Sequence, residues 1–295
     1  MNLRQSVVCV WFLLSGILVS AADGIDTAPL QNQTDPKLQH QLEQVVARLG
    51  LTSWTASGDL AIALVDITDL AQPRAATING NEMMYAASLP KIAILYAVLV
   101  DVDKGRILLD RPTRDALTRM IRYSSNEDAT RMLNLVGRHR TAEILQSDPF
   151  RLYDPKLNGG PWVGKEYAEG VAFRRDPIHQ ISHGATVLQT ARFYYLLETE
   201  KLVSPRSSTA MKEILGNPGI NHKFVKGLNQ RPGISIFRKS GTWQDWHADS
   251  ALVEAGLYRY IAVALAHNPN GSKWLENMIV PMHDLIVRTQ YALSK

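Results

Sequence analysis

Strand-like segments lie toward the two ends of this 295-residue chain, and a helical middle keeps them apart. Residues 60–66 read Leu-Ala-Ile-Ala-Leu-Val-Asp, a short β-branched and apolar run, and a weaker strand over 75–78 follows the Gln72-Pro73 turn. The same signal returns only at 234–239, 247–254 and 258–267. Between them the pattern predicts helices over 88–102, 112–122, 126–136, 185–198 and 207–215. Strands this short need a shared sheet to bury their faces, so the two ends must meet in one layer. A helix opens there at Asp35-Pro36, N-cap and first-turn proline, with Leu38, Leu42, Val45 and Leu49 on one face before Gly50. Another runs over 273–291 through Pro281. The predicted fold is α/β (α+β): an antiparallel sheet flanked by the N- and C-terminal helices, with a helical subdomain inserted and a cleft between them.

Residues 1–22 have the form of a secretory signal peptide: Arg4, an apolar run from Val7 to Val19, then the small residues Ser20, Ala21 and Ala22. The expectation is an exported protein, periplasmic or secreted, with no stable membrane insertion after cleavage. Residues 23–34 are small and polar, a flexible lead, and 35–292 form a single catalytic domain, α/β over 35–87 and 227–292 and helical over 88–226. The only cysteine, Cys9, falls in the leader, which removes thiol chemistry and disulfides from the mature chain. The net charge of +4 is scattered, without a run of five basic residues, so nucleic acid is not the expected partner. The chain is expected to be a monomer.

Three short motifs carry chemistry. Ser88-Leu89-Pro90-Lys91 places a hydroxyl and an amine three residues apart on one helical face, with Pro90 in the first turn, where its missing donor costs nothing. The positive end of the helix dipole then faces the reacting carbonyl. About one S-x-x-K match is expected by chance in a chain this long, so the pair alone says little. Ser124-Ser125-Asn126 sits between two helices, where Ser124 can relay a proton and the Asn126 amide can meet a substrate carbonyl; the same residues also make a good N-cap. Lys239-Ser240-Gly241-Thr242 ends an apolar strand. There Lys239 attracts an anion, Ser240 and Thr242 hydrogen-bond it, and Gly241 lets the ligand lie against the backbone. The Ser88 and Thr242 amides together make an oxyanion hole. All three motifs in this order, each on the right kind of element, point to acyl transfer through an ester on Ser88.

The set resembles that of class A β-lactamases and penicillin-binding proteins, with Ser125 in place of an aspartate and Ser240 in place of a threonine. The order of elements is similar over nearly the whole mature chain. The resemblance implies a β-lactamase/DD-peptidase-like fold, a small-molecule β-lactam or a peptidoglycan-like acyl substrate, and no cofactor. It also implies a trimmed helical lobe, since only 35 residues lie between Ser88 and Ser124. Tyr153-Asp154-Pro155-Lys156-Leu157-Asn158 is similar to the family's Glu-x-x-Leu-Asn loop with aspartate for glutamate, which nominates Asp154 as the base for the hydrolytic water. The shorter side chain draws the carboxylate back by about 1 Å, a displacement able to cost on the order of 100-fold. An Asp-Pro turn explains the same residues equally well, and Glu166 and Glu169 are alternative carboxylates. Hydrolysis of a β-lactam amide is the leading expectation. A D-Ala-D-Ala peptidase or esterase, or a slowly deacylating β-lactam sensor or binding protein, fits the same motifs.

Other patterns are weaker. Residues 159–165 fit the first seven positions of a phosphate loop, yet Glu166 stands where the magnesium-binding hydroxyl belongs and no strand is expected before them. His179 with His183, and His247 with Asp249, lack the partners of a zinc site, so no metal is expected. A serine-histidine-aspartate triad lacks its G-x-S-x-G turn.

Overall fold

The structure, a computed structural model, describes residues 29–288. The expected signal peptide and residues 23–28 and 289–292 lie outside the described residues. In chain order the elements are α1 (Pro36–Arg48), α2 (Thr52–Ala56), β1 (Leu60–Asp66), β2 (Arg74–Ile78), β3 (Met84–Tyr85), α3 (Lys91–Asp103), α4 (Arg111–Arg122), α5 (Asn126–Val136), α6 (Arg138–Gln146), β4 (Trp162–Val163), β5 (His183–Ala185), α7 (Val187–Glu198), α8 (Pro205–Leu215), α9 (Lys223–Leu228), β6 (Ile234–Trp243), β7 (Trp246–Ala255), β8 (Tyr258–His267) and α10 (Gly271–Arg288).

Five strands form one antiparallel sheet in the order β2-β1-β8-β7-β6, so the strands from the two ends of the chain do pair, β1 against β8 from Leu60↔Ala266 to Asp66↔Tyr260. Period-two alternation explains why β1 is apolar at nearly every position. Leu60, Ile62 and Leu64 pack toward the terminal helices, while Ala61, Ala63 and Val65 face the helical lobe. A strand buried on both sides reads as a continuous apolar run. Asp35 caps α1, accepting the Leu38 amide at 2.7 Å, and Leu38, Leu42 and Val46 of that helix meet Leu275, Met278 and Met282 of α10 in the same core. Pro281 lies inside α10.

Two expectations change. Residues 29–34, counted with a flexible lead, are pinned: Leu30 is buried, and the Ala75 amide donates to Gln33 O at 2.8 Å while the Asp35 amide donates to Ala75 O at 2.9 Å. The segment between residues 88 and 226 is not purely helical, because β4 and β5 join β3 in a second sheet of order β3-β5-β4. Strands of two or three residues carry no readable period, but here they tie the long loop before α7 to the chain just ahead of Ser88. Among the described residues no helix is long and apolar enough to cross a membrane.

Candidate active site

Ser88 lies in the turn of residues 87–90 between β3 and α3. That turn closes with short bonds, Leu89 N–H to Ala86 O at 3.0 Å and Lys91 N–H to Ser88 O at 3.3 Å, and regular α-helix begins at Lys91 rather than at Ser88. In such a three-residue turn positions i and i+3 eclipse, so the serine and lysine keep a common face. Ala87 has φ +50°, a left-handed conformation costing about 1–2 kcal/mol for a residue with a Cβ. It is held from both sides: the Ala86 amide donates to His183 O at 2.9 Å and the Tyr167 hydroxyl to Ala87 O at 3.4 Å.

The second motif resolves its two readings by dividing them between neighbours. Ser125 is the N-cap of α5, accepting the Asp128 amide at 3.1 Å. Ser124, at φ +60°, is thereby turned out of the helix. Its hydroxyl receives Lys239 Nζ at 3.0 Å and Lys91 Nζ at 3.3 Å, so this serine joins the two lysines. Lys91 also donates to Ser124 O at 2.6 Å and Asn126 Oδ1 at 2.7 Å. With its oxygen committed to Lys91, Asn126 has its amide nitrogen left to donate to a ligand.

Both lysines are buried. Loss of water disfavours an ammonium, and burial pushes Lys91 down to about 7. Lys239 is held well below the ordinary lysine value, first by burial and then by the charges of Lys91 and Arg238. An amine with a substantial neutral fraction near pH 7 therefore lies one turn from Ser88, the expected nucleophile.

The third motif runs along β6, an edge strand whose free side faces the Ser88 turn. Gly241 is required there: a methyl group in its place would overlap Ala86 O and lie 2.8 Å from the Ser88 nitrogen. Behind the edge, Lys223 donates to Gly241 O at 2.5 Å, Thr242 Oγ1 at 2.8 Å and Ala248 O at 3.1 Å. Arg238 and Asp249 form a fully buried ion pair at 2.7 Å on that side of the sheet. Ser240 alternates to the same face, where its hydroxyl meets His222 Nε2 at 3.1 Å. Ser88, Asn126 and Thr242 open on a cleft of about 850 Å³ whose walls include Tyr85, Tyr167 and Trp246.

The structure brings Ser88, Lys91, Ser124, Asn126, Lys239, Gly241 and Thr242 together, with Ser240 behind them on β6. Asp154 is the exception. Its carboxylate accepts the Lys156 amide at 2.9 Å and caps a single 3₁₀ turn (Pro155–Leu157), and the residue is not among those lining the cleft. The Asp-Pro turn explains it, because an aspartate before proline satisfies its own backbone two residues on. Glu166 does reach the cleft wall, but Arg138 at 2.5 Å and Asn134 at 2.8 Å hold its carboxylate. Glu169 is exposed on the rim.

Sequence reasoning missed two site residues, Tyr167 and Lys223, and weighed a third, His183, only as a metal ligand. Tyr167 lies over Lys91, its ring centroid 4.4 Å from Nζ. His183 packs on Tyr167 at 4.3 Å and, buried, is pushed down to about 4, hence neutral. Lys223 sits behind the β6 edge and burial pushes it down to about 7. The loop carrying Tyr167 has neither period nor motif, and Lys223 acquires its role only when α9 packs beneath β6 and β7.

A sequence model of the β-lactamase enzyme family matches residues 41–114 and 110–288. Solved structures with a similar fold include a β-lactamase from Sphaerobacter thermophilus, at 17% identity over 83% of this chain and 96% of that one with a TM-score of 0.64. An ancestral class A β-lactamase (GNCA) is similar at 19% identity over 83% and 98%, TM-score 0.64. PBP-A is similar at 18% identity over 86% and 98%, TM-score 0.61. A comparison with curated proteins finds no matching sequence.

Proposed function

This chain belongs to the β-lactamase enzyme family and is a serine hydrolase of that type, and from this premise we propose that it is exported and opens a β-lactam amide through an ester on Ser88. The observation that carries the reading is the Ser124 hydroxyl held between Lys91 and Lys239 beside the nucleophile turn. Lys91 in its neutral form takes the Ser88 proton as Oγ attacks the carbonyl. The amides of Ser88 and Thr242 receive the developing oxyanion, an interaction of the kind whose loss costs about 10²–10³ in rate. The proton then passes through Ser124 to the leaving nitrogen, and Lys239, whose Nζ donates to Ser124 Oγ at 3.0 Å, orients that hydroxyl for the transfer. The protein acts as a monomer, with no cofactor or nucleic acid in these steps.

Hydrolysis of the ester needs a base for water. The capping role of Asp154 and the ion pair of Glu166 favour a second reading, in which the ester forms and then persists as in a β-lactam-binding protein; a D-Ala-D-Ala peptidase or esterase, which must also deacylate, shares the three motifs. One experiment decides among them. Purified protein is mixed with a chromogenic cephalosporin, and both burst and steady state are recorded. Continued turnover supports the lactamase, a single stoichiometric burst the binding protein, and no reaction together with cleavage of a D-Ala-D-Ala peptide or a simple ester the remaining reading. Ser88→Ala must abolish every covalent adduct; an adduct that survives refutes the nucleophile. Export is checked by fractionation and by a mature N-terminus near residue 23.

A further inference from the structure

Lys91 is enclosed by two kinds of neighbour. On one side are three oxygen acceptors, Ser124 O, Ser124 Oγ and Asn126 Oδ1. On the other is the face of Tyr167, 4.4 Å away, backed by the His183 ring. The position of Tyr167 is fixed along its length. Its amide donates to Thr130 Oγ1 at 3.1 Å, from α5, and its hydroxyl to Ala87 O at 3.4 Å, from the nucleophile turn. The residue is half-buried, with the phenol oxygen as its deep end, and burial keeps that phenol neutral. The titratable groups facing Lys91 are Lys239 from β6, His183 from β5 and Tyr167 itself, with Tyr85 of β3 beyond. Among the described residues no carboxylate pairs with Lys91, so its charged form is held only by neutral oxygen acceptors.

We propose that Tyr167 is a positioning residue for the nucleophile's base: its ring seals the Lys91 amine from cleft water and so keeps that amine able to accept the Ser88 proton. The inference rests on the reading of Lys91 as base. Two effects of the ring oppose each other. A π face attracts an ammonium and favours protonation, whereas exclusion of water disfavours it. The geometry favours exclusion, because Lys91 is fully buried and the ring covers the side on which it has no oxygen acceptor. Removing the ring therefore admits water and returns the amine toward ordinary lysine behaviour. The Tyr167 hydroxyl contributes less, since at 3.4 Å its bond to Ala87 O is long.

The test titrates Lys91 directly, by NMR of lysine labelled at Cε and assigned with Lys91→Arg, in the wild type, Tyr167→Phe and Tyr167→Ala. The wild type and Tyr167→Phe are expected to titrate near pH 7, and Tyr167→Ala at least one pH unit higher, with the pH profile of cephalosporin acylation moving in step. An unmoved midpoint in Tyr167→Ala overturns the proposal, as does an equal rise in Tyr167→Phe, which would assign the effect to the hydroxyl. Near-ultraviolet circular dichroism checks folding, and Tyr167→Gln, which keeps length but carries a hydrated amide, replaces an alanine variant that does not fold. Failure of the wild type to form a Ser88 adduct, seen by intact mass, counts against the function proposed above, while the titration still decides the role of Tyr167.

Discussion

A hydroxyl has one proton and two lone pairs, and Ser124 uses them to connect Lys91 with Lys239. Its neighbour Ser125 does a different job, closing the first turn of α5. The two serines therefore separate chemistry from stability. Ser124→Ala is expected to slow acylation by about 10²–10⁴-fold, the usual worth of a positioned proton-transfer group, with the melting temperature little changed. Ser125→Ala is expected to cost about 1 kcal/mol of stability and to leave acylation close to wild type. Stopped-flow acylation and thermal melts of both variants check this, and an equal loss of acylation in the two would remove the relay assignment. Lys91 adds a pH dependence. The amine accepts a proton only when neutral and is pushed down to about 7, so acylation should rise with pH through about 7 and then level off. A rate that falls over that range, measured under single-turnover conditions, would show that the charged amine is the working form.

Elements decide how much of this was readable. Residues 60–66 and 258–267 emerge as strands with the bounds expected of them because each is a largely apolar run closed by turn residues, and α5 spans 126–136 because its cap and apolar face agree. The end of β6 was underestimated: the strand, expected over 234–239, continues through Gly241 to Trp243. Gly241 is there for proximity to the Ser88 turn, not to end a strand. The three motifs were legible because each is a short run of adjacent residues, which the structure then brings together. Tyr167 and Lys223 were not, because their roles exist only across packed elements, and Asp154 was misplaced because a two-residue likeness cannot say which way a carboxylate points. A Gly241→Ala substitution tests the element directly. The added methyl overlaps Ala86 O and crowds the Ser88 amide, so β6 must move away by about 1 Å, a displacement that can cost on the order of 100-fold. Acylation should fall by at least that much. Both Lys239 and Ser124 remain present in the variant, so unimpaired acylation would show that the approach of strand to turn is not what forms the site.

At the scale of the whole molecule, the buried amines couple function to stability. Lys91 and Lys223 are each pushed down to about 7 by burial, and Lys239 is lowered in the same direction. An unfolded chain releases these protons only near pH 10.4, so between about 7 and 10 the unfolded state binds more protons than the folded one. Stability then rises with pH across that window, since the penalty for burying a charged amine is full below pH 7 and is removed as the folded-state amine loses its proton. Buried tyrosines reverse the trend at the upper end. Burial pushes Tyr96 up to about 12, and Tyr194 and Tyr260 are also raised, so above pH 10 the unfolded chain ionises first and gains. Urea unfolding at a series of pH values is expected to show greatest stability between about pH 9 and 10. Declining net charge also favours the compact state over part of this range, and variants separate the two causes. Lys91→Met and Lys223→Met each remove one buried amine, and each should flatten the rise between pH 7 and 10 relative to wild type. A slope unchanged in both would place the pH dependence on the protein's overall charge and remove the stability cost assigned to these two lysines.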